Sequence, residues 1–178
     1  MRPKLNYSHL KGNTSFTKDE IRWAIDQCER QGEGVSAVLP FLEGWEYARQ
    51  KFIDPNKPMI MGGLTDEIKY LSMIVTDGRH SMSNPYRLTP VVFNNGNEAT
   101  PPQHIPRTFH KLCVSGLFVE DIHAFVIEYL KIHPLEDGNG RVANILLNRQ
   151  NEQAMNERKG FIYENPKLDG WIDSVLTA

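Results

Sequence analysis

The chain has 178 residues, 40% of them hydrophobic and 24% charged, and a formal net charge of −2. That length supports about one domain with a core of its own, and the composition excludes an intrinsically disordered chain. The near-balanced charge and the lack of a dense Lys/Arg run argue against a nucleic-acid partner, and no apolar run approaches a membrane span.

In chain order, TKDEIRWAIDQCERQG predicts a first helix. Thr17 caps it, Glu20 three residues on completes a capping box, Ile21, Ala24, Ile25 and Cys28 supply the apolar face, and Gly32 lies near its end. SAVLPFLEGWEYARQKF spaces Val38, Phe41, Leu42, Trp45 and Phe52 for a second helix, with Pro40 in the first turn. TDEIKYLSMIV predicts a shorter helix opening at Thr65. PYRLTPVVFNNGNEATPP breaks the helical pattern: a β-branched and aromatic run, then Asn-Asn-Gly-Asn, predicts a small β-hairpin or flap. PPQHIPRTFHKLC enters a helix after its prolines.

VEDIHAFVIEYLKI gives the clearest helix. Val119, Ile122, Phe125, Val126, Tyr129, Leu130 and Ile132 form a broad apolar face suited to the centre of a small domain. A further long helix is expected from about Asn139 to Lys159, with Gly160 past its end. The fold class is therefore mainly α with one β-hairpin. Trp23, Trp45 and Trp171 are expected in packing roles. His104, His110 and His123 lack metal-ligand spacing and are expected to be structural or surface residues. Cys28 and Cys113 form no CxxC pair and the N-terminus has no apolar leader, so a reducing, cytoplasmic location is expected.

HPLEDGNGRVAN, from His133 to Asn144, holds the chemistry. Pro134 should stop the preceding helix at His133. Gly138 and Gly140 let the backbone approach a ligand, and the first N–H groups of the next helix have no internal partners. Arg141 adds a cation on the first turn, so the loop suits an anion, above all a phosphate. Asp137 can hold Mg²⁺ together with phosphate oxygens. His133, with an ordinary pKa of about 6.5, can take a proton from a hydroxyl. Each feature alone has a plainer explanation, since Asn-Gly is a common turn dipeptide and a helix-end histidine is often a cap. A calcium loop is excluded, because Val142 stands where that loop needs glycine.

HPLEDGNGR resembles the signature of the Fic family, His-Pro-Phe-x-(Asp/Glu)-Gly-Asn-Gly-Arg-x-x-Arg, with Leu135 in place of phenylalanine. The flap entry NPYRLTPVVF and the proline pair in TPPQHIP match the family's upstream order, so the resemblance spans roughly Leu64 to Asn148. It implies a Fic fold, a helical bundle with the motif loop between two long helices and a β-hairpin flap. Residues 1–63 would form an N-terminal helical segment and 64–178 the Fic core. It also implies transfer of AMP from ATP to a Ser, Thr or Tyr hydroxyl of a target protein. His133 would then be the general base and Asp137 the Mg²⁺ ligand. Gly138, Asn139, Gly140 and Arg141 would cradle the phosphates. The flap, about Tyr86 to Thr100, would hold the target as an added strand.

The sequence departs from the family at two places. The final motif arginine, which binds the terminal phosphate and in many members is held by an inhibitory glutamate, is Asn144 here. The N-terminal inhibitory motif, Ser/Thr-x-x-x-Glu-Gly/Asn, aligns with YSHLKGN, placing Lys11 at the glutamate and Tyr7 at the Ser/Thr. A weaker alignment uses Glu43 in LPFLEG. With both partners altered, the usual Glu–Arg inhibition is expected to be relaxed, and Lys11 is expected to supply the nucleotide-binding cation that Asn144 lacks. The competing expectations are transfer of another nucleotide or phosphate group, and a catalytically weak binding module. Gly140 argues against the kinase-like branch, which has lysine there.

Overall fold

The computed structural model describes residues 16–51, 63–79, 81 and 83–163. Lys11, Tyr7, Phe52 and Trp171, named above, lie outside the described residues.

Eight α-helices form among the described residues. They are α1 (Lys18–Arg30), α2 (Val38–Lys51), α3 (Gly63–Val75), α4 (Ile105–Cys113), α5 (Leu117–Glu120), α6 (Ile122–Ile132), α7 (Asn139–Arg149) and α8 (Glu152–Glu157). The mainly helical expectation holds, and no helix among the described residues is long and apolar enough to cross a membrane.

The capping box at the head of α1 is formed. Thr17 Oγ1 accepts from Glu20 N at 3.2 Å, and Glu20 Oε2 accepts from Thr17 N at 2.8 Å. The buried face of α1 differs from the expected one. Glu20, Trp23, Ala24, Gln27 and Cys28 point inward, while Ile21 and Ile25 are exposed. The reason is polar satisfaction. Glu20 Oε1 accepts from Trp45 Nε1 (2.9 Å) and Arg158 Nε (2.7 Å), so a charged side chain can be buried there.

α7, rather than α6, runs through the centre. Every residue from Arg141 to Arg149 is buried, whereas α6 leaves Glu128 exposed and the preceding Val119 stands in solvent. α2 crosses α3 and α7 at Gly44. A Cβ there would stand 2.6 Å from Val75 Cγ1 and 3.2 Å from both Leu71 Cδ1 and Ile145 Cδ1, so only glycine permits this approach. The expected helix from Asn139 to Lys159 is two helices. Asn151 turns its side chain onto Gln153 N (3.2 Å) and Gly160 O (2.8 Å), capping α8 and ending the run of α7.

The segment after α8 returns across α1 and α7. Phe161 stacks on Trp23 at 4.4 Å and meets Trp45 edge-on at 5.5 Å. Asn148 grips the backbone of Ile162, accepting from its N (2.6 Å) and donating to its O (3.1 Å), and Gln27 donates to Tyr163 O at 2.7 Å. Trp23 and Trp45 are in the core as expected, and Cys28 and Cys113 are both free and buried.

The flap segment forms no strand among the described residues. It is a turn closed by one isolated antiparallel bridge, Val92–Glu98, with Phe93 N donating to Asn97 O (2.8 Å) and Ala99 N to Val91 O (2.9 Å). Pro90 lacks an N–H and Pro101 follows the second arm, so the ladder cannot lengthen. A second bridge, Tyr86–Leu135, joins the stem of this turn to the motif loop.

Candidate active site

α6 ends at His133, as Pro134 requires. His133 is not extended, however: it caps the helix in the left-handed conformation, φ 49° and ψ 60°. A non-glycine residue there is strained and persists only where its surroundings hold it. Its N–H donates to Tyr129 O at 3.0 Å, and its carbonyl accepts from Arg87 Nε at 2.6 Å. The Phe93 ring meets the imidazole edge-on at 5.7 Å. Burial, then the nearby Arg87 charge, push the His133 pKa down to about 4, against a smaller upward effect of its hydrogen bond to the Leu130 carbonyl. The imidazole is therefore neutral at physiological pH and can accept a proton.

The loop then turns into α7. Gly138 caps that helix at φ 82°, and a Cβ on it would stand 3.0 Å from Thr76 Cγ2. Asn139 holds the loop from inside, its amide donating to Leu135 O (2.8 Å) and accepting from Leu135 N (3.0 Å). Its side chain is committed to the loop, so its backbone is what a ligand can meet. Gly140 lies under the end of α1: a Cβ there would be 2.7 Å from Gln31 Oε1.

Arg141 is almost wholly buried. Nη1 donates to Val75 O (2.8 Å), and Nη2 donates to Asp137 Oδ1 (2.8 Å) and Glu33 Oε1 (2.9 Å). Two buried donors, Arg141 Nε and Gln31 Nε2, have no hydrogen-bond partner among the described residues. Unmet donors beside a helix N-terminus suit an oxyanion.

Asp137 receives Arg141 and Gly138 N (2.7 Å) on Oδ1, and Arg79 Nη1 (2.7 Å) on Oδ2. Burial raises its pKa, but Arg141 and Arg79 more than offset this and hold it below the usual carboxylate range. An ionised carboxylate at the edge of a cavity is the donor chemistry that Mg²⁺ requires, so Asp137 is the residue that would hold such an ion beside a bound phosphate. No cluster of three acidic, histidine or cysteine side chains able to hold a metal by itself occurs among the described residues. A cavity of about 620 Å³ opens beside Asp137, lined by Arg79, Asn84, Tyr86, Leu88, Thr89 and Glu136 as well. It links the flap stem to the motif loop.

The structure thus brings His133, Asp137, Gly138, Asn139, Gly140 and Arg141 to one loop and helix end. Asn144 is elsewhere. It is fully buried about one turn further along α7 against α1, where Oδ1 accepts from Trp23 Nε1 (2.8 Å) and Asn148 Nδ2 (3.2 Å). Two residues at the site, Glu33 and Gln31 from the turn after α1, have no counterpart in the sequence analysis, and a third, Arg87, belongs to the flap entry NPYR without a site role there. Arg87 had a signal, an arginine between an aromatic and a proline-flanked apolar run. Glu33 and Gln31 had none, since their place depends on how α1 packs.

Residues 65–150 match the sequence model of the Fic/DOC family. The chain carries a Fic domain. No curated protein matches the chain, and no solved structure does. The matched stretch runs from α3 to the last turn of α7 and contains the flap, His133 and the whole cradle, so membership rests on the part of the fold that builds the site. At family level a Fic domain marks a transferase. In this Fic domain α1 and α2, which precede the matched stretch, share one hydrophobic core with it and deliver Glu33 to the cradle.

Proposed function

We propose that this Fic domain transfers AMP from ATP to a Ser, Thr or Tyr hydroxyl of a target protein with the help of Mg²⁺. One observation carries the proposal: His133, half-buried at the end of α6, stands four residues before Asp137 and directly precedes the loop whose glycines, Arg141 and Asp137 suit a nucleotide's phosphates. The target hydroxyl oxygen attacks the α-phosphorus and the bond from that phosphorus to the β-bridging oxygen breaks, so pyrophosphate leaves. The hydroxyl proton passes to the His133 ring nitrogen not engaged with the Leu130 carbonyl. Phosphoryl chemistry of this kind needs positioning and charge stabilisation more than covalent help. Mg²⁺, held by Asp137, would neutralise charge on the phosphates. The target would lie along the flap, Tyr86 to Thr100, with its side chain entering the cavity beside Asp137.

Lys11 is proposed to supply a further cation to the terminal phosphate; Lys11→Ala and more strongly Lys11→Glu should then weaken ATP binding. A second reading, a binding module with weak catalysis, is favoured by Glu33, which already holds Arg141. ATP labelled at either the α- or the γ-phosphate, incubated with the protein, Mg²⁺ and lysate, separates the readings. α-Label on protein that His133→Ala abolishes supports AMP transfer. γ-Label points to phosphate transfer, and no label with any nucleotide points to the binding module.

A further inference from the structure

We propose that Arg87 is the positioning residue of this site, clamping the end of α6 to both arms of the flap and so fixing the backbone of His133. The proposal rests on His133 as the base. Arg87 is almost fully buried, and its acceptors are four main-chain carbonyls rather than a carboxylate. Nε donates to His133 O (2.6 Å), Nη1 to Thr89 O (2.6 Å), and Nη2 to Ile132 O (3.2 Å) and to Thr100 O. Thr89 and Thr100 stand on opposite arms of the flap turn, while Ile132 and His133 are the last carbonyls of α6. The planar guanidinium is suited to this, because its donors are fixed in one fork. The Arg87 backbone adds a fifth link, its N donating to Pro134 O at 3.0 Å.

Two consequences follow for His133. Its left-handed backbone is held through its carbonyl, which orients the ring. A buried cation also stands beside the imidazole, opposing its protonation. The charged groups involved are Arg87 from the flap stem and, facing Arg87, Glu136 from the motif loop; the flap tip contributes only the uncharged Phe93 ring. Arg87 thereby couples the flap to the protonation state of the base.

The test is an NMR titration of the His133 ring in the full chain, read beside amide exchange at Ala99 and Thr100, in wild type, Arg87→Met and Arg87→Lys. Arg87→Met should move the His133 titration up from about 4 toward its ordinary 6.5 and speed exchange at Ala99 at least tenfold. Arg87→Lys should keep the titration low, because the charge remains, yet still speed exchange, because three ammonium hydrogens cannot serve four carbonyls. A folded Arg87→Met protein whose His133 titrates as in wild type overturns the proposal. Should the methionine variant fail to fold, unchanged exchange at Ala99 in Arg87→Lys overturns it equally. Neither readout needs nucleotide or turnover, so a protein without transferase activity would sink the proposed function and leave this clamp standing.

Discussion

Glu33 Oε1 accepts a 2.9 Å hydrogen bond from Arg141 Nη2, so the motif arginine already carries an anion from the end of α1. The sequence suggested that the domain's own carboxylates were out of the way, with Lys11 and Asn144 replacing an inhibitory pair. Lys11 lies outside the described residues, and among those described a different glutamate meets a different arginine. A nucleotide phosphate that takes Arg141 must displace it. Glu33→Gln should therefore tighten ATP binding about fivefold, from roughly 1 kcal/mol for a partly exposed charge pair. Calorimetric titration with ATP and Mg²⁺ measures this; equal or weaker binding would count against a competing role for Glu33.

The depressed pKa of His133 sets a pH dependence for activity. A base works only when unprotonated, so transfer should persist as pH falls through 6.5 and fail only as it falls through about 4. The same shift bears on stability. The folded value lies below the unfolded one, so the unfolded chain binds the proton first. The stabilisation is fully present above pH 6.5 and is lost as pH falls from 6.5 toward 4. It amounts to on the order of 2 kcal/mol once partial exposure is allowed for. A pH–rate profile of kcat/KM and urea unfolding at pH 7 and pH 4.5 check the two statements separately. An acidic limb near 6.5 would contradict the first.

Restoring the family's arginine at Asn144 should not restore a phosphate contact. Asn144 is fully buried and accepts from Trp23 Nε1 at 2.8 Å. An arginine there has to overpack the α1–α7 junction, leave the indole N–H unmet and bury a charge. Asn144→Arg should lose about 3 kcal/mol of stability, by the usual costs of overpacking and an unmet polar group. Thermal unfolding reads the loss. A variant as stable as wild type with tighter ATP binding would show that α1 yields more readily than its packing implies.

Glu20→Gln should destabilise the fold by about 3 kcal/mol, because it breaks a buried charge pair. Glu20 is fully buried and accepts from Arg158, Trp45 and the Thr17 N–H. Burial raises its pKa, yet the hydrogen bonds from Arg158, Thr17 and Trp45 outweigh that and lower it overall. Its contribution is thus present above the ordinary carboxylate range and lost as pH falls below it. Chemical denaturation of wild type and variant at pH 7 and at pH 3.5 should show a gap that narrows in acid.

How much of this was legible beforehand depended on whether the signal was local. The capping box at Thr17 and Glu20, the stop at His133 and the loop from Asp137 to Arg141 are set by neighbours in sequence, and they appear where expected. The inward face of α1 departs from its apolar spacing, which favours Ile21 and Ile25, because Glu20 and Gln27 find partners only in tertiary structure. The expected long final helix divides because Asn151 caps α8 by accepting from Gln153 N, with its amide anchored on Gly160 O. The flap kept its turn but not its strands, since proline removes the donors a ladder needs. Arg87 stands in the flap-entry pattern, but its partners at the end of α6 lie 45 and 46 residues away, and Glu33 and Gln31 reach the site through packing that no local pattern encodes.

The sandwich of Trp23 against Phe161 makes the fold its own optical gauge. Trp23 also donates to Asn144, about one turn of α7 from Arg141, and sits on the helix that leads into Glu33. A shift of α1 as a body, carrying Glu33 away from Arg141, would disturb the ring stacking and the indole hydrogen bond together. Trp23 and Trp45 are both buried, 5.1 Å apart, so a Trp45→Phe background would let the emission of Trp23 record, without label or substrate turnover, a movement of α1 against the cradle.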